Sequence, residues 1–151
     1  MGRLSLILSS GLGAGYVPKA SGTVGTLWGV LFFYLGRNLS PWWWGAGVLL
    51  FFIAAVGLSR GAEKHLGSHD SSVIVIDEIV GYLVTVLGMA YSIETAALAF
   101  VLFRFFDIVK PFPIRQIDQK GHGAWSVVLD DVVAGIYANL VLRGALYFWE
   151  G

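Results

Sequence analysis

From Phe103 to Gly135 the chain reads FRFFDIVKPFPIRQIDQKGHGAWSVVLDDVVAG. This stretch holds four cations (Arg104, Lys110, Arg115, Lys120) and four carboxylates (Asp107, Asp118, Asp130, Asp131). Only 13% of the whole chain is charged, so such crowding marks a site. Cations suit an anion, and carboxylates suit a hard metal ion or a proton. Arg104 precedes Asp107 by one helical turn, which puts both on one face. A guanidinium there grips a phosphate with two parallel hydrogen bonds, although the same spacing also makes a plain ion pair. Lys110 stands before Pro111, and Pro113 follows, so a helix must end at this point. Lys110 and Arg115 are thereby held near a helix end. With Lys120 they also read as a basic patch facing anionic lipid headgroups.

A second set of acids lies upstream in GSHDSSVIVIDEIVG, Gly67 to Gly81. Asp77 and Glu78 are adjacent and bounded on both sides by apolar residues. Carboxylates favour the positive end of a helix dipole, which is one account of the pair. The other is coordination of a hard cation by oxygen ligands. His69 beside Asp70 is a candidate acid or base with a further carboxylate at hand. His65 reads as a solvated histidine, and His122, between two glycines, as a turn residue or a mobile proton carrier. The glycine-rich run GLGAGYVPKASGTVG, Gly11 to Gly25, reads as an entry loop or as a backbone-amide cradle for phosphate, with Lys19 as a point charge and Ser21 or Thr23 capping the next helix. It lacks the Gly-Lys-Ser/Thr ending of a nucleotide-binding loop. There are no cysteines, which removes thiolate ligands and nucleophiles and leaves Asp, Glu and His.

The elements that must carry these residues are apolar. Hydrophobic residues make up 56% of the 151, far above the share left for charge, and point to a bilayer as solvent. The length allows one domain, residues 1–151. Zero net charge supplies no field for nucleic acid. Leu4 to Leu8 is too short for a signal-peptide core, so export is not expected. Ala20 to Gly36 is an uncharged run slightly short of the ~20 residues that cross a membrane. The aromatic cluster Trp42 to Trp44 opens a second run, closed by Arg60, Glu63, Lys64 and His65. Val132 to Trp149 is a further span, with Arg143 inside it and Trp149 as interface anchor.

Ile79 to Phe103 is either one long helix or a hairpin turning at Tyr91 to Glu94, and the two differ in topology. A hairpin collects Arg3, Lys19, Arg60, Lys64, Arg104, Lys110, Arg115 and Lys120 on one side and leaves Arg37 and Arg143 on the other. That asymmetry is the cytoplasmic bias of membrane proteins, so the hairpin is preferred. Each half then reaches only about 20 Å, so neighbours must shield it or the bilayer must thin. The expected fold is all-α: a multi-pass membrane bundle of about five short helices, with Asp77, Glu78, Asp107, Asp130 and Asp131 at its cytoplasmic end. Carboxylates cost roughly 2.5–3.5 kcal/mol each within a bilayer, so such a set implies a counter-charge. Oxygen-only ligands favour Mg²⁺ or Mn²⁺.

Four segments then resemble the phosphatidylglycerophosphatase A family, in the family's order: SGTVGTLWG from Ser21, HDSSVIVIDEIVG from His69, FRFFDIVKPFPIRQID from Phe103 and LDDVVAG from Leu129. The resemblance implies a Mg²⁺-requiring bacterial inner-membrane enzyme whose site faces the cytoplasm. It implies that phosphatidylglycerophosphate is the lipid substrate and phosphatidylglycerol the product. Carried over by position, Asp77, Asp107, Asp131 and His69 are the expected catalytic residues. Arg104 and Lys110, carried over in the same way, and Lys19 and Arg115, read from their charge, are expected to bind substrate. Asp70, Asp77, Glu78, Asp107, Asp130 and Asp131 are the expected metal ligands. One departure is Ala124 and Ser126, where the family commonly has glycines. The nucleophile is either a water or a carboxylate. The competing readings are a phosphatase of another lipid phosphate, a divalent-cation transporter or channel, whose acids would be spread through the bilayer depth, and an interaction subunit without chemistry, which needs no paired acids.

Overall fold

The computed structural model describes residues 2–67, 71–121 and 123–150. Among these there are seven α-helices and no strand: α1 (Gly2–Ser9), α2 (Ser21–Leu35), α3 (Pro41–Leu66), α4 (Ile76–Thr85), α5 (Ile93–Val109), α6 (Ile114–Lys120) and α7 (Ala124–Glu150), with a 3₁₀ turn at Ala14–Tyr16. The helix count exceeds the expected five. The additions are α1 and α6, whose 8 and 7 residues are too short to stand out as apolar runs.

Local sequence explains the boundaries. Pro41 opens α3 at a position where its missing N–H costs nothing, and Gly67, at φ 66°, closes it. Ser92 caps α5 by accepting a hydrogen bond from the Thr95 N–H at 3.0 Å. The break within 79–103 is real, but it spans residues 86–92 rather than Tyr91 to Glu94. Gly88, at φ 75°, supplies the turn, and the two halves are unequal at 10 and 17 residues. Helix α2 begins at Ser21, so Gly22 and Gly25 are helical rather than part of the loop. Its N-cap is Ala20 with no side-chain cap, so neither Ser21 nor Thr23 plays that part.

Two helices are long and apolar enough to cross a membrane: α3, with mean hydropathy 1.7, and α7 over Ala124–Trp149, with 1.5. Only 22% of the apolar window of α3 is buried, so it is not the core helix of a bundle that hides its apolar side chains. Leu49, Leu50 and Ile53 of α3 and Leu140, Val141 and Phe148 of α7 point outward. These faces are compatible with an inner-membrane protein.

The interior is organised by α4, which packs most extensively on α7 and next on α2. Tyr82 is fully buried, and its hydroxyl donates to the Ala96 carbonyl of α5 at 3.0 Å. Phe103, Ala134, Ala138 and Leu142 complete this core. At the α4–α7 crossing Gly81 faces Gly135, and a Cβ on Gly135 would collide with the Gly81 carbonyl oxygen. Such glycine contacts let helix backbones meet closely where lipid supplies no hydrophobic drive.

Gly135→Val is therefore expected to destabilise the protein by about 1–3 kcal/mol through overpacking. Gly144→Val, on the same helix with open space around it, should leave the melting temperature in detergent unchanged. Equal melting temperatures for the two variants would refute the close crossing.

Candidate active site

The segment before α4 sets the position of its acids. The Val75 N–H donates to the Ser9 carbonyl at 2.8 Å, tying this segment to the end of α1. Gly25 of α2 packs against Val75 and leaves no room for a side chain. The chain then turns into α4, which places Asp77 and Glu78 in its first turn, where the helix dipole favours negative charge.

Three carboxylates meet there. Asp77, Glu78 and Asp131 each offer an oxygen, and these atoms lie within 4.8 Å of one another. Asp77 and Asp131 are only 7% and 4% exposed, so water does little to relieve their repulsion. Asp77 Oδ1 and Glu78 Oε2 are buried and accept no hydrogen bond among the described residues. Buried acceptors without a donor are costly, and a cation shared by the three would satisfy them. Asp107 comes close to both Asp131 and Glu78.

Arg104 and Lys110 are each committed to carboxylates. Arg104 Nη1 donates to Asp107 Oδ2 at 2.6 Å. The two share a helix face as their spacing required, and the ion pair stands at the rim of the acidic trio. Gly22 of α2 closes on the same place. A Cβ there would sit 2.5 Å from Glu78 Oε1 and 2.8 Å from Arg104 Nη1. The uncapped amino end of α2 thus lies against the acids and the guanidinium together.

Lys110 ends α5 in the left-handed region, at φ 45°. A non-glycine residue there costs of order 1–3 kcal/mol. The conformation is retained because Nζ donates to Asp118 Oδ1 at 2.7 Å and to Asp130 Oδ2 at 2.6 Å. The contact binds the ends of α5 and α6 to α7. Burial alone would depress the Lys110 pKa, but the Asp118 and Asp130 carboxylates outweigh it and hold the ammonium above its ordinary range.

Of the expected ligands, Asp77, Glu78 and Asp131 are brought together, while Asp107 is taken by Arg104 and Asp130 by Lys110. Lys19 and Arg115 are exposed and make no ion pair among the described residues. His69 and Asp70, and likewise His122, lie outside the described residues. Ala124 is buried at the start of α7, and the Ser126 hydroxyl donates to the Gly123 carbonyl at 2.8 Å, so this region is a helix start rather than a glycine loop. Two contributors were missed from sequence. Asp118 pairs across a turn that no spacing rule anticipates. The role of Gly22 was hidden because its run reads as a loop, although Gly22, Gly25 and Gly29 do recur on one helical face.

The chain is similar to known proteins along nearly its whole length. A family model described as phosphatidylglycerophosphatase A matches residues 7–146. Phosphatidylglycerophosphatase A of Escherichia coli is 36% identical over 144 residues, covering 94% of this chain and 81% of that protein. The protein of the same name from Haemophilus influenzae is 36% identical over 95% of this chain and 88% of its own length. A putative phosphatidylinositol-3-phosphatase of Bacteroides thetaiotaomicron is 34% identical over 94% and 93%. No solved structure matches the chain.

Lys110→Met should strip Asp130 of its counter-charge and destabilise the protein by about 1–2 kcal/mol, the partial exposure of Lys110 keeping the loss below that of a fully buried pair. The Lys110 pKa is raised above its ordinary 10.5, so its contribution is complete below that pH and is lost as pH rises past it. The melting temperatures of wild type and variant in detergent should differ up to about pH 10 and converge above as the lysine loses its proton. A gap that persists unchanged well beyond the lysine range would exclude the ion pair as its source.

Proposed function

The chain belongs to the phosphatidylglycerophosphatase A family, and on that premise we propose that it hydrolyses the phosphate monoester of phosphatidylglycerophosphate to phosphatidylglycerol and phosphate. The observation that carries this reading is the trio of Asp77, Glu78 and Asp131 beside Arg104. A metal-assisted lipid phosphatase needs cation-binding oxygens next to a phosphate-binding guanidinium, and these residues supply both.

The trio fits a divalent cation. Its donors are all oxygen, two of them buried without a partner, which favours Mg²⁺ or Mn²⁺ over softer metals. When bound, such an ion polarises a phosphoryl oxygen and lowers the pKa of a coordinated water. Asp77, Glu78 and Asp131 hold it. Arg104 neutralises charge on the phosphoryl oxygens, and Asp107 fixes the plane of its guanidinium. The uncapped N–H groups of α2 add dipolar stabilisation at the same point. Lys110 holds Asp130 and α6 in place rather than gripping substrate. Exposed Lys19 and Arg115 attract the anionic headgroup. His69 and Asp70 keep their family-based assignment as proton carrier and additional ligand.

We read the chain as a multi-pass protein of the bacterial inner membrane, with the acidic site facing the cytoplasm. Helices α3 and α7 cross, and the unequal α4–α5 hairpin returns its acids to the end from which it started. Arg37 and Arg143 are left at the opposite end, in keeping with the positive-inside rule. A cation path calls for carboxylates distributed along the span. Here they gather at one end, which weighs against a transporter. The Bacteroides relative's name makes a phosphorylated inositol lipid the competitor to test.

Detergent-purified protein should release phosphate from phosphatidylglycerophosphate with Mg²⁺ and not with EDTA, and faster than from phosphatidylinositol 3-phosphate. Asp131→Asn should lower kcat by at least about 100-fold. Gly22→Ala should lower it by about 10-fold or more by displacing Glu78 and Arg104. Metal-independent release, or near-normal rates in both variants, would overturn the site.

A further inference from the structure

Two turns beyond Asp131, on the face of α7 that meets α4, stands Asn139. It is a polar residue in a segment otherwise built to face lipid and core. Its Nδ2 donates to the Thr85 carbonyl at 2.7 Å and the Leu87 carbonyl at 3.0 Å, with the Val84 carbonyl a longer third at 3.4 Å. Val84 and Thr85 end α4 and Leu87 lies in the turn just after it, a place where a helix leaves its last acceptors without intrahelical donors. Arg143, one turn further along, donates from Nε to Asn139 Oδ1 at 2.9 Å and from Nη2 to the Leu87 carbonyl at 2.9 Å. Arginine can only donate, so Oδ1 must face it and the amide must face α4. The orientation of Asn139 is fixed by that logic. Gly88 leaves the space the guanidinium occupies, since a Cβ there would lie 2.7 Å from Nη2.

The pairs along this contact share one register. Asp77 meets Asp131, Gly81 meets Gly135, and Thr85 meets Asn139, each pair one helical turn beyond the last and with the same separation in sequence. The two helices therefore run parallel. Glycine contacts set how closely they lie but resist sliding weakly, because they present no side chain to interlock. The Asn139 hydrogen bonds are directional and fix the axial position. A slip of one residue is about 1.5 Å, a large fraction of the 4.8 Å within which the trio's oxygens lie.

We propose that Asn139, oriented by Arg143, is a positioning residue of the site: by clasping the carboxyl end of α4 it sets the axial register that brings Asp77 and Glu78 to Asp131, about 12 Å away along the helices. It touches no substrate. The proposal rests on the reading of the trio as a cation site. It differs from ordinary helix capping in predicting an effect on cation binding at the opposite end of α4.

The decisive variant is Asn139→Asp, which keeps the shape and the acceptor for Arg143 but removes both amide donors. Binding of Mn²⁺ to the purified protein, followed by the electron paramagnetic resonance of free ion, should weaken by about 10- to 100-fold, the range found when groups orienting metal ligands are lost. At saturating Mg²⁺, kcat should fall while KM for the lipid stays within about twofold, since the substrate contacts are intact. Arg143→Lys, which loses the fork but keeps the charge, should show a smaller loss in the same two measurements, and it serves if the aspartate variant does not fold. A lower melting temperature with wild-type Mn²⁺ binding in both variants would reduce Asn139 to a helix cap and overturn the proposal. Failure of the wild-type protein itself to bind Mn²⁺ would instead overturn the cation reading, and this proposal with it.

Discussion

Several carboxylates drawn into one poorly hydrated corner repel one another, and the structure depends on how that repulsion is contained. Two of the five acids there are neutralised from within, Asp107 by Arg104 and Asp130 by Lys110. The other three, Asp77, Glu78 and Asp131, have no such partner among the described residues and converge on one small volume. Buried like charges cost several kcal/mol unless something sits between them. The close contact of Gly81 with Gly135 and the clasp on Lys110 hold the helices around this corner in place.

Division of labour among the charges follows from the same constraint. A cation already held by two carboxylates is a poor substrate ligand, because leaving them exposes a buried charge. Lys110, with Asp118 and Asp130 both within 2.7 Å, has become structural. Arg104 pairs with one carboxylate among the described residues, Asp107, through Nη1, and has five donors in all, so part of its fork is left for an anion. Sequence spacing treated the two cations alike. Only the third dimension separates them.

What the sequence made legible was whatever repeats at helical spacing or breaks it. The apolar runs, the Arg104–Asp107 pair and the helix end before Pro111 were all readable from residues within a few positions of each other. The hairpin was reached indirectly, from the distribution of lysine and arginine. What was not legible depended on long-range contact. Nothing local couples Lys110 to Asp118 around a proline turn, or Asn139 to Thr85. The run Gly11 to Gly25 was read as loop to its end because glycine is read as loop, whereas Gly22 and Gly25 serve a helix whose backbone must approach Glu78 and Val75. Helices α1 and α6 escaped because a segment of two turns carries too few residues to show a period.

The parallel pairing of α4 and α7 also bears on the order in which the enzyme comes into being. Parallel neighbours cannot be joined directly. The intervening α5 must first carry the chain back to the starting end. Asp77 and Glu78 leave the ribosome early, Asp107 follows, and Asp131 arrives only with α7, the last of the described helices. Until then Gly81 has no Gly135 against it, and the acids of α4 have no third member. A chain halted before α7 contains Arg104 and most of the chemistry named here, but not a closed site. Completion of the acidic trio thus coincides with the docking of α7 on α4, so an unfinished chain lacks the closed site.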